Sequence, residues 1–264
     1  MSADRKGFFW VGLALALMLL PVVAVGLNAF ATDWAGSLLP LGFTLDWARQ
    51  MMADPRFLQA FGNSMLLGIG ATALSAAVCV PAIVVAHAFA PRLDRLFAGL
   101  VILPYAVPGI VMALGLLKLY AGQFGLILTG SPWLLVYAYV PLAASLYYVP
   151  IKNALRGLNV AELLEAGSML GINDARLLWR VILPSIRQAV VIGVILNFTL
   201  VVSEFVYANL LVGGQFPTLQ IFMYVLRGGS GHLQSVLILI YFALVLIATT
   251  AVALLAGSEQ GKRS

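Results

Sequence analysis

The chain has 264 residues, of which 62% are hydrophobic and only 9% are charged, and its formal net charge is +5 at pH 7. Soluble domains carry about 25% charged residues, so the composition excludes a soluble globular protein and predicts an integral membrane protein. The basic residues are scattered through short segments and form no basic face, which argues against nucleic-acid binding.

Six apolar stretches are long enough to cross a bilayer, since a transmembrane helix needs about 20 residues. They are continuous and lack the apolar and polar alternation that is typical of a membrane barrel. The sequence therefore predicts an all-α integral membrane protein with six transmembrane helices, in which residues 1–264 form a single transmembrane domain. The predicted spans are residues 8–30, 62–90, 96–117, 132–149, 185–212 and 233–256.

Lysine and arginine predict the orientation of the spans, because cytoplasmic loops carry an excess of them. Eleven of the 15 lie on the side of the two termini and of segment 152–187, and four lie on the other side. We therefore expect both termini to be cytoplasmic. The eleven are Arg5, Lys6, Arg92, Arg95, Lys152, Arg156, Arg176, Arg180, Arg187, Lys262 and Arg263, and the four are Arg49, Arg56, Lys118 and Arg227.

The first span has two interpretations, because Arg5-Lys6, an apolar run and Ala29-Phe30-Ala31 also fit a cleavable signal peptide. The apolar run is about 20 residues long, whereas the apolar region of a signal peptide has about 7 to 15. We therefore expect an uncleaved helix.

Two outer segments, 31–61 and 213–232, are each long enough for a short helix. Trp34 and Trp47 suit the membrane interface, and glycine pairs frame the second segment, which suggests an element that re-enters or caps the outer mouth.

The third span is the best candidate for a hinge. It contains Pro104, Pro108 and Gly109, and each proline removes a backbone hydrogen-bond donor from the helix.

A polar break, residues 152–187, separates the fourth and fifth spans. Helix-forming residues from Ala161 to Leu170 precede Gly171, which suits the residue after a helix end. Asn173 or Asp174 can then cap a second helix over 175–182, and Pro184 opens the fifth span. The first helix is expected to expose Leu163, Leu164, Met169 and Leu170 beside two glutamates. Such a surface suits docking into a groove, although an ordinary interfacial loop has a similar composition.

The same break contains Glu165-Ala166-Gly167, then Gly171 after three residues, and Val181-x-Leu183-Pro184 after nine more. This spacing resembles the signature loop of bacterial ABC importer permeases, with Gly167 in place of the second alanine and Val181 in place of isoleucine. The resemblance implies that the coupling loop, 152–184, docks on a cytoplasmic ATPase. The implied coupling residues are Glu162, Leu163, Leu164, Glu165, Ala166, Gly171, Val181, Leu183 and Pro184.

The resemblance also implies the partners of such a permease in a bacterial inner membrane. Two cytoplasmic ATPase subunits would bind the ATP and Mg²⁺, so that this chain itself needs no cofactor and no metal. A second permease subunit would complete the pore, with a heterodimer favoured and a homodimer possible. An extracytoplasmic substrate-binding protein would deliver the solute.

The fifth span carries Glu204, the one acidic residue deep in an apolar stretch. A carboxylate in a span is a functional candidate, although it can also be neutral or hydrogen-bonded to orient another helix. With Asn197, Ser203, Tyr207 and Asn209 it forms one predicted polar stripe along the translocation pathway. The residues around Glu204, Ser203-Glu204-Phe205 and Tyr207-Ala208-Asn209-Leu210, also resemble the family branch that imports polyamines, 2-aminoethylphosphonate or ferric iron.

No arrangement of nucleophile and base is visible in the sequence, and residues 257–262 have the wrong spacing for a phosphate-binding loop. We therefore expect a transport subunit and not an enzyme. Two other classes stay open at this level, an ATP-independent secondary transporter with inverted repeats and an intramembrane enzyme. His87 and His232 are expected at membrane interfaces and not in a metal site.

Overall fold

The computed structural model describes residues 2–34, 37, 39–122 and 130–260, which form helices joined by short turns. The all-α prediction is confirmed. Within these residues, four helices are long and apolar enough to cross a membrane, and two bent pairs of helices pass the same test when taken together. The number of spans reaches six if each bent pair counts as one.

The helices run along the chain as follows: α1 Ser2–Phe30, α2 Asp46–Ala53, α3 Pro55–Phe89, α4 Pro91–Leu100, α5 Leu103–Ala106, α6 Gly109–Gly122, α7 Pro132–Arg156, α8 Val160–Met169, α9 Asp174–Leu177, α10 Leu183–Ser185, α11 Arg187–Ser203, α12 Val206–Leu211, α13 Leu219–Val225 and α14 Gly231–Gln260. A π-helical turn, Leu178–Ile182, joins α9 to α10. The short helices α2 and α13 lie in the two outer segments where the sequence allows them. Helix α3 begins at Pro55, seven residues before the predicted start of the second span, because proline is favoured at the first helical position.

The chain folds into two compact units. The first consists of Met1–Gln59 and Phe222–Val245. In this unit the Asn28 side chain donates to the Gly231 carbonyl (3.2 Å) and to the Ser235 hydroxyl (2.8 Å), which ties the end of α1 to the start of α14. His232 stacks on Trp47, with ring centroids 5.0 Å apart, and so holds α2 against α14.

The second unit consists of Ala60–Ile221 and Leu246–Ser264, and α7 supplies many of its buried side chains. Two glycines allow helices to approach α11 closely. A Cβ atom on Gly193 would lie 2.6 Å from the Tyr147 ring of α7, and one on Gly68 of α3 would lie 2.7 Å from the Phe198 ring. The prediction of one domain over residues 1–264 stays a prediction.

The third span is bent by 96° between the helices Pro91–Ala106 and Gly109–Tyr120. Val107, at the break, has the extended conformation (φ −102°, ψ 131°), to which a following proline restricts a residue. The hinge that Pro104, Pro108 and Gly109 predict therefore lies at this break. The predicted span over 96–117 includes this break and stays a prediction.

The predicted fifth span, 185–212, is interrupted in the structure. A bend of 68° separates the segment Asp174–Ser185, which contains Pro184, from α11. At its other end α11 stops at Ser203, and Glu204 adopts an extended conformation before α12 begins. The apolar composition of the run gives no sign of either break.

Candidate functional site

Within the predicted coupling loop, 152–184, helix α8 ends in a tight turn at Gly171. Gly171 has a φ of +70°, in the left-handed region that glycine enters without strain. The Ile172 N–H donates to the Gly167 carbonyl (2.9 Å) and the Gly171 N–H to the Ser168 carbonyl (3.1 Å). These two bonds form a Schellman motif, which confirms the predicted end of the helix.

A second short helix, α9, starts immediately after this turn. The Asn173 side chain accepts a hydrogen bond from the Ala175 N–H (2.9 Å), so of the two caps that the sequence allows, Asn173 and Asp174, the structure uses Asn173. Leu177 of α9 packs against α8, since a Cβ atom on Gly167 would lie 3.0 Å from Leu177 Cδ2. Gly167, the departure from the family pattern, thus lies where the two helices are closest.

The sequence predicts four exposed apolar residues in and directly after α8, and two of them are strongly exposed in the structure. Met169 and Leu170 are 88% and 76% exposed at the tip of the loop. Leu163 and Leu164 are half-buried, because they pack against a core cluster that also contains Ile182 and Ile186. The sequence predicts that Leu163 and Leu164 are exposed, and the structure exposes them only in part, whereas Glu162, Glu165 and Ala166 are exposed.

The residues at the far end of the motif also differ in their packing. Ile182 and Ile186 are fully buried, whereas Val181 is 38% exposed, Leu183 is half-buried and Pro184 is exposed. Since Ile186 directly precedes α11, the cluster connects α8 physically to the start of the fifth span.

The Glu204 carboxylate caps the amino end of α12. Its oxygens accept hydrogen bonds from the backbone N–H groups of Val206 (2.7 Å), Tyr207 (2.9 Å) and Ala208 (3.2 Å). The Tyr139 hydroxyl of α7 also donates to it (2.9 Å). Both oxygens therefore have donors within the chain, and the group acts here as a helix cap.

The other polar residues of the fifth span do not form a single stripe. Ser203 and Asn209 are exposed, whereas Tyr207 is buried and Asn197 is fully buried. Neither polar atom of the Asn197 amide has a hydrogen-bond partner among the described residues. The predicted stripe requires one continuous helix, and the break at Glu204 turns the residues that follow it to other directions.

The sequence analysis missed a buried ionic cluster formed by His87 of α3, Asp94 of α4 and Lys152 of α7. The Lys152 ammonium group forms an ion pair with Asp94 Oδ2, and its Nζ lies 2.6 Å from His87 Nδ1. Both charged side chains are largely buried. The cluster links the first half of the bent third span to the helix that leads into the coupling loop. Asp94 and His87 lie 58 and 65 residues before Lys152 in the sequence, and no local pattern connects them to it.

Residues 79–258 match the family described as "Binding-protein-dependent transport system inner membrane component". The chain is 27% identical over 249 residues to the spermidine/putrescine transport system permease protein PotC of Haemophilus influenzae, covering 92% of this chain and 94% of that protein. It is 25% identical over 255 residues to the putrescine transport system permease protein PotI of Escherichia coli, covering 92% and 86%. A crystal structure of a bacterial ABC transporter involved in the import of the acidic polysaccharide alginate has the same fold, with a TM-score of 0.70, 16% identity and 99% and 98% coverage.

Proposed function

Because the chain belongs to the family of binding-protein-dependent transport system inner membrane components, it is a multi-pass permease subunit of an ABC importer, and we propose that its solute is of the polyamine type. The named solutes of the two similar permeases, spermidine and putrescine, support this solute class. The alternatives are a 2-aminoethylphosphonate-type zwitterion and ferric iron.

We propose that α8 is the docking site for a cytoplasmic ATPase. The observation that carries this proposal is that the end of the helix is exposed while its middle is packed on the core. Met169 and Leu170 are exposed at its tip, while Leu163 and Leu164 pack on the cluster that contains Ile186, directly before α11. Burial of each exposed side chain in a partner would contribute about 1.5–3 kcal/mol. A displacement of the docked helix would reach the fifth span through the packed cluster.

Substitution of the two exposed residues tests the docking site. The double variant Met169→Ala/Leu170→Ala should lose co-purification of the ATPase and still insert into the membrane. Leu93→Ala is the matched control, because Leu93 is also an exposed apolar residue on the predicted cytoplasmic side but lies on α4. Full retention of the ATPase by the double variant would refute the assignment of α8.

We propose that the complete importer contains two such ATPase subunits, which bind ATP and Mg²⁺, together with a second and different permease subunit and an extracytoplasmic binding protein. Both termini and the coupling loop would face the cytoplasm, as the distribution of basic residues supports. A single cysteine at Ser168, an exposed position, can test this orientation after Cys79→Ala. Labelling from the outside of intact cells by a membrane-impermeant maleimide would refute it.

The solute is tested with the reconstituted transporter and its binding protein in proteoliposomes. Uptake of labelled putrescine or spermidine that requires both ATP and the binding protein is the expected result. Uptake of 2-aminoethylphosphonate or ferric iron instead would refute the solute class while leaving the permease function in place.

A further inference from the structure

An apolar groove of about 540 Å³ lies between α3 and the two segments that meet at the 68° bend of the fifth span. One wall is the α3 face that includes Ala77, Pro81 and Val85. The other wall comes from both sides of the bend, with Trp179 before it and Val191 after it. Since the segment before the bend turns away from α11, the bend itself creates the space.

The groove has one charged residue among those that line it, Arg187, the first residue of α11. Arg187 is exposed and makes no ion pair within the described part of the chain. Trp179, which also lines the groove, is 68% exposed. Arginine and tryptophan are the side chains that membrane proteins place at the level of the lipid headgroups.

The length of the groove matches one leaflet of a bilayer. Its α3 wall extends from Ala76 to Val85, which at about 1.5 Å per residue corresponds to roughly 14 Å. The hydrocarbon core of a bilayer is about 30 Å thick, so the groove covers about half of it. A transmembrane helix of another subunit has about 20 residues and would extend well beyond the groove.

We infer that this groove binds one anionic phospholipid, with an acyl chain against α3 and the headgroup phosphate at Arg187. Basic pockets between transmembrane helices on the cytoplasmic side are suited to anionic headgroups, and Arg187 lies on the predicted cytoplasmic side. The inference concerns lipid binding and is independent of which solute the importer carries.

Native mass spectrometry of the assembled transporter, exchanged from nanodiscs into mild detergent, tests this site. The nanodiscs contain either phosphatidylcholine alone or an equal mixture with phosphatidylglycerol. We expect one retained phosphatidylglycerol per chain and no retained phosphatidylcholine. Arg187→Gln should weaken retention by about fivefold, the effect of one basic residue near an anionic headgroup. The control Arg92→Gln, on the same predicted side but outside the groove, should retain the lipid as the wild type does.

A second set of variants tests the groove itself. Ala77→Phe and Val191→Phe each place a large side chain in the groove, from opposite walls. Either substitution should abolish the retention of phosphatidylglycerol. Val191→Phe provides the test if the Ala77→Phe variant fails to assemble. Equal retention in all variants, or equal retention of phosphatidylcholine, would overturn the inference. So would a cross-link from a photoactivatable residue placed at Val85 to the partner permease, because the groove would then be covered by protein.

Discussion

The capping role of Glu204 predicts that Glu204→Gln destabilises the protein. Glutamine keeps one acceptor oxygen, and its amide group faces N–H donors that the carboxylate now satisfies. Loss of a helix cap costs about 0.5–2 kcal/mol, and a buried donor left without a partner costs about 1–3 kcal/mol. Because both figures describe the same N–H donors, the expected loss is about 1–3 kcal/mol, which corresponds to a decrease of roughly 2–12 °C in the melting temperature of a domain of this size.

The assay is thermal unfolding of the purified transporter, followed by tryptophan fluorescence. Tyr139→Phe removes one donor to the carboxylate and leaves the cap in place, so its melting temperature should decrease by roughly 2–4 °C, for a hydrogen bond worth about 1 kcal/mol. Asp33→Asn is the matched control, because it makes the same chemical change at an exposed position. An unchanged melting temperature for Glu204→Gln with a loss of transport would refute the capping argument and assign the carboxylate to the solute.

Three further predictions concern packing and backbone conformation, and thermal unfolding checks each. Gly171→Ala should destabilise the protein by about 1–2 kcal/mol and Gly171→Asn by less, because asparagine enters the left-handed region more readily. Gly193→Ala should cost about 1–3 kcal/mol, since its Cβ atom would lie 2.6 Å from the Tyr147 ring. Lys152→Met should cost about 1–3 kcal/mol, because the partly buried Asp94 carboxylate then loses its ammonium partner and keeps His87 Nδ1, 3.6 Å away, and the added substitution Asp94→Leu should recover most of the loss.

Each of these predictions has an outcome that contradicts it. A Gly171→Asn variant less stable than Gly171→Ala would contradict the left-handed turn. Gly70→Ala is the control for Gly193→Ala, because nothing lies within 4 Å of its added Cβ atom, and equal melting temperatures of the two would show that α7 and α11 are not in close contact there. Additive losses in the double variant would show that Lys152 and Asp94 do not form a pair.

Features that depend only on residues close together in the sequence are predictable from it. The end of α8 at Gly171, the cap at Asn173 and the break before Pro108 each follow from the backbone preferences of one or two residues. The membrane class follows from composition alone, because so few charged residues cannot cover a soluble surface. The family is also indicated locally, because the spacing of residues from Glu165 to Pro184 lies within one short segment of the sequence.

Features that depend on contacts between distant residues are not predictable in this way. Leu163 and Leu164 belong to an amphipathic helix whose orientation is decided by the core cluster that contains Ile182 and Ile186. The break at Glu204 requires three backbone donors of the following turn and the Tyr139 hydroxyl, 65 residues away. The composition around Glu204 is equally compatible with a continuous span.

By itself the sequence determined an all-α membrane protein, its apolar stretches and the local form of the coupling loop, because hydrophobicity and backbone preference act over a few residues. Tertiary structure decided which polar groups have partners. Glu204 caps a helix, Lys152 pairs with Asp94, and Asn197 is buried without a hydrogen bond among the described residues. In an apolar medium the fate of a polar side chain depends on which donor or acceptor the packing brings within about 3 Å, and that distance is set by helices far apart in the chain.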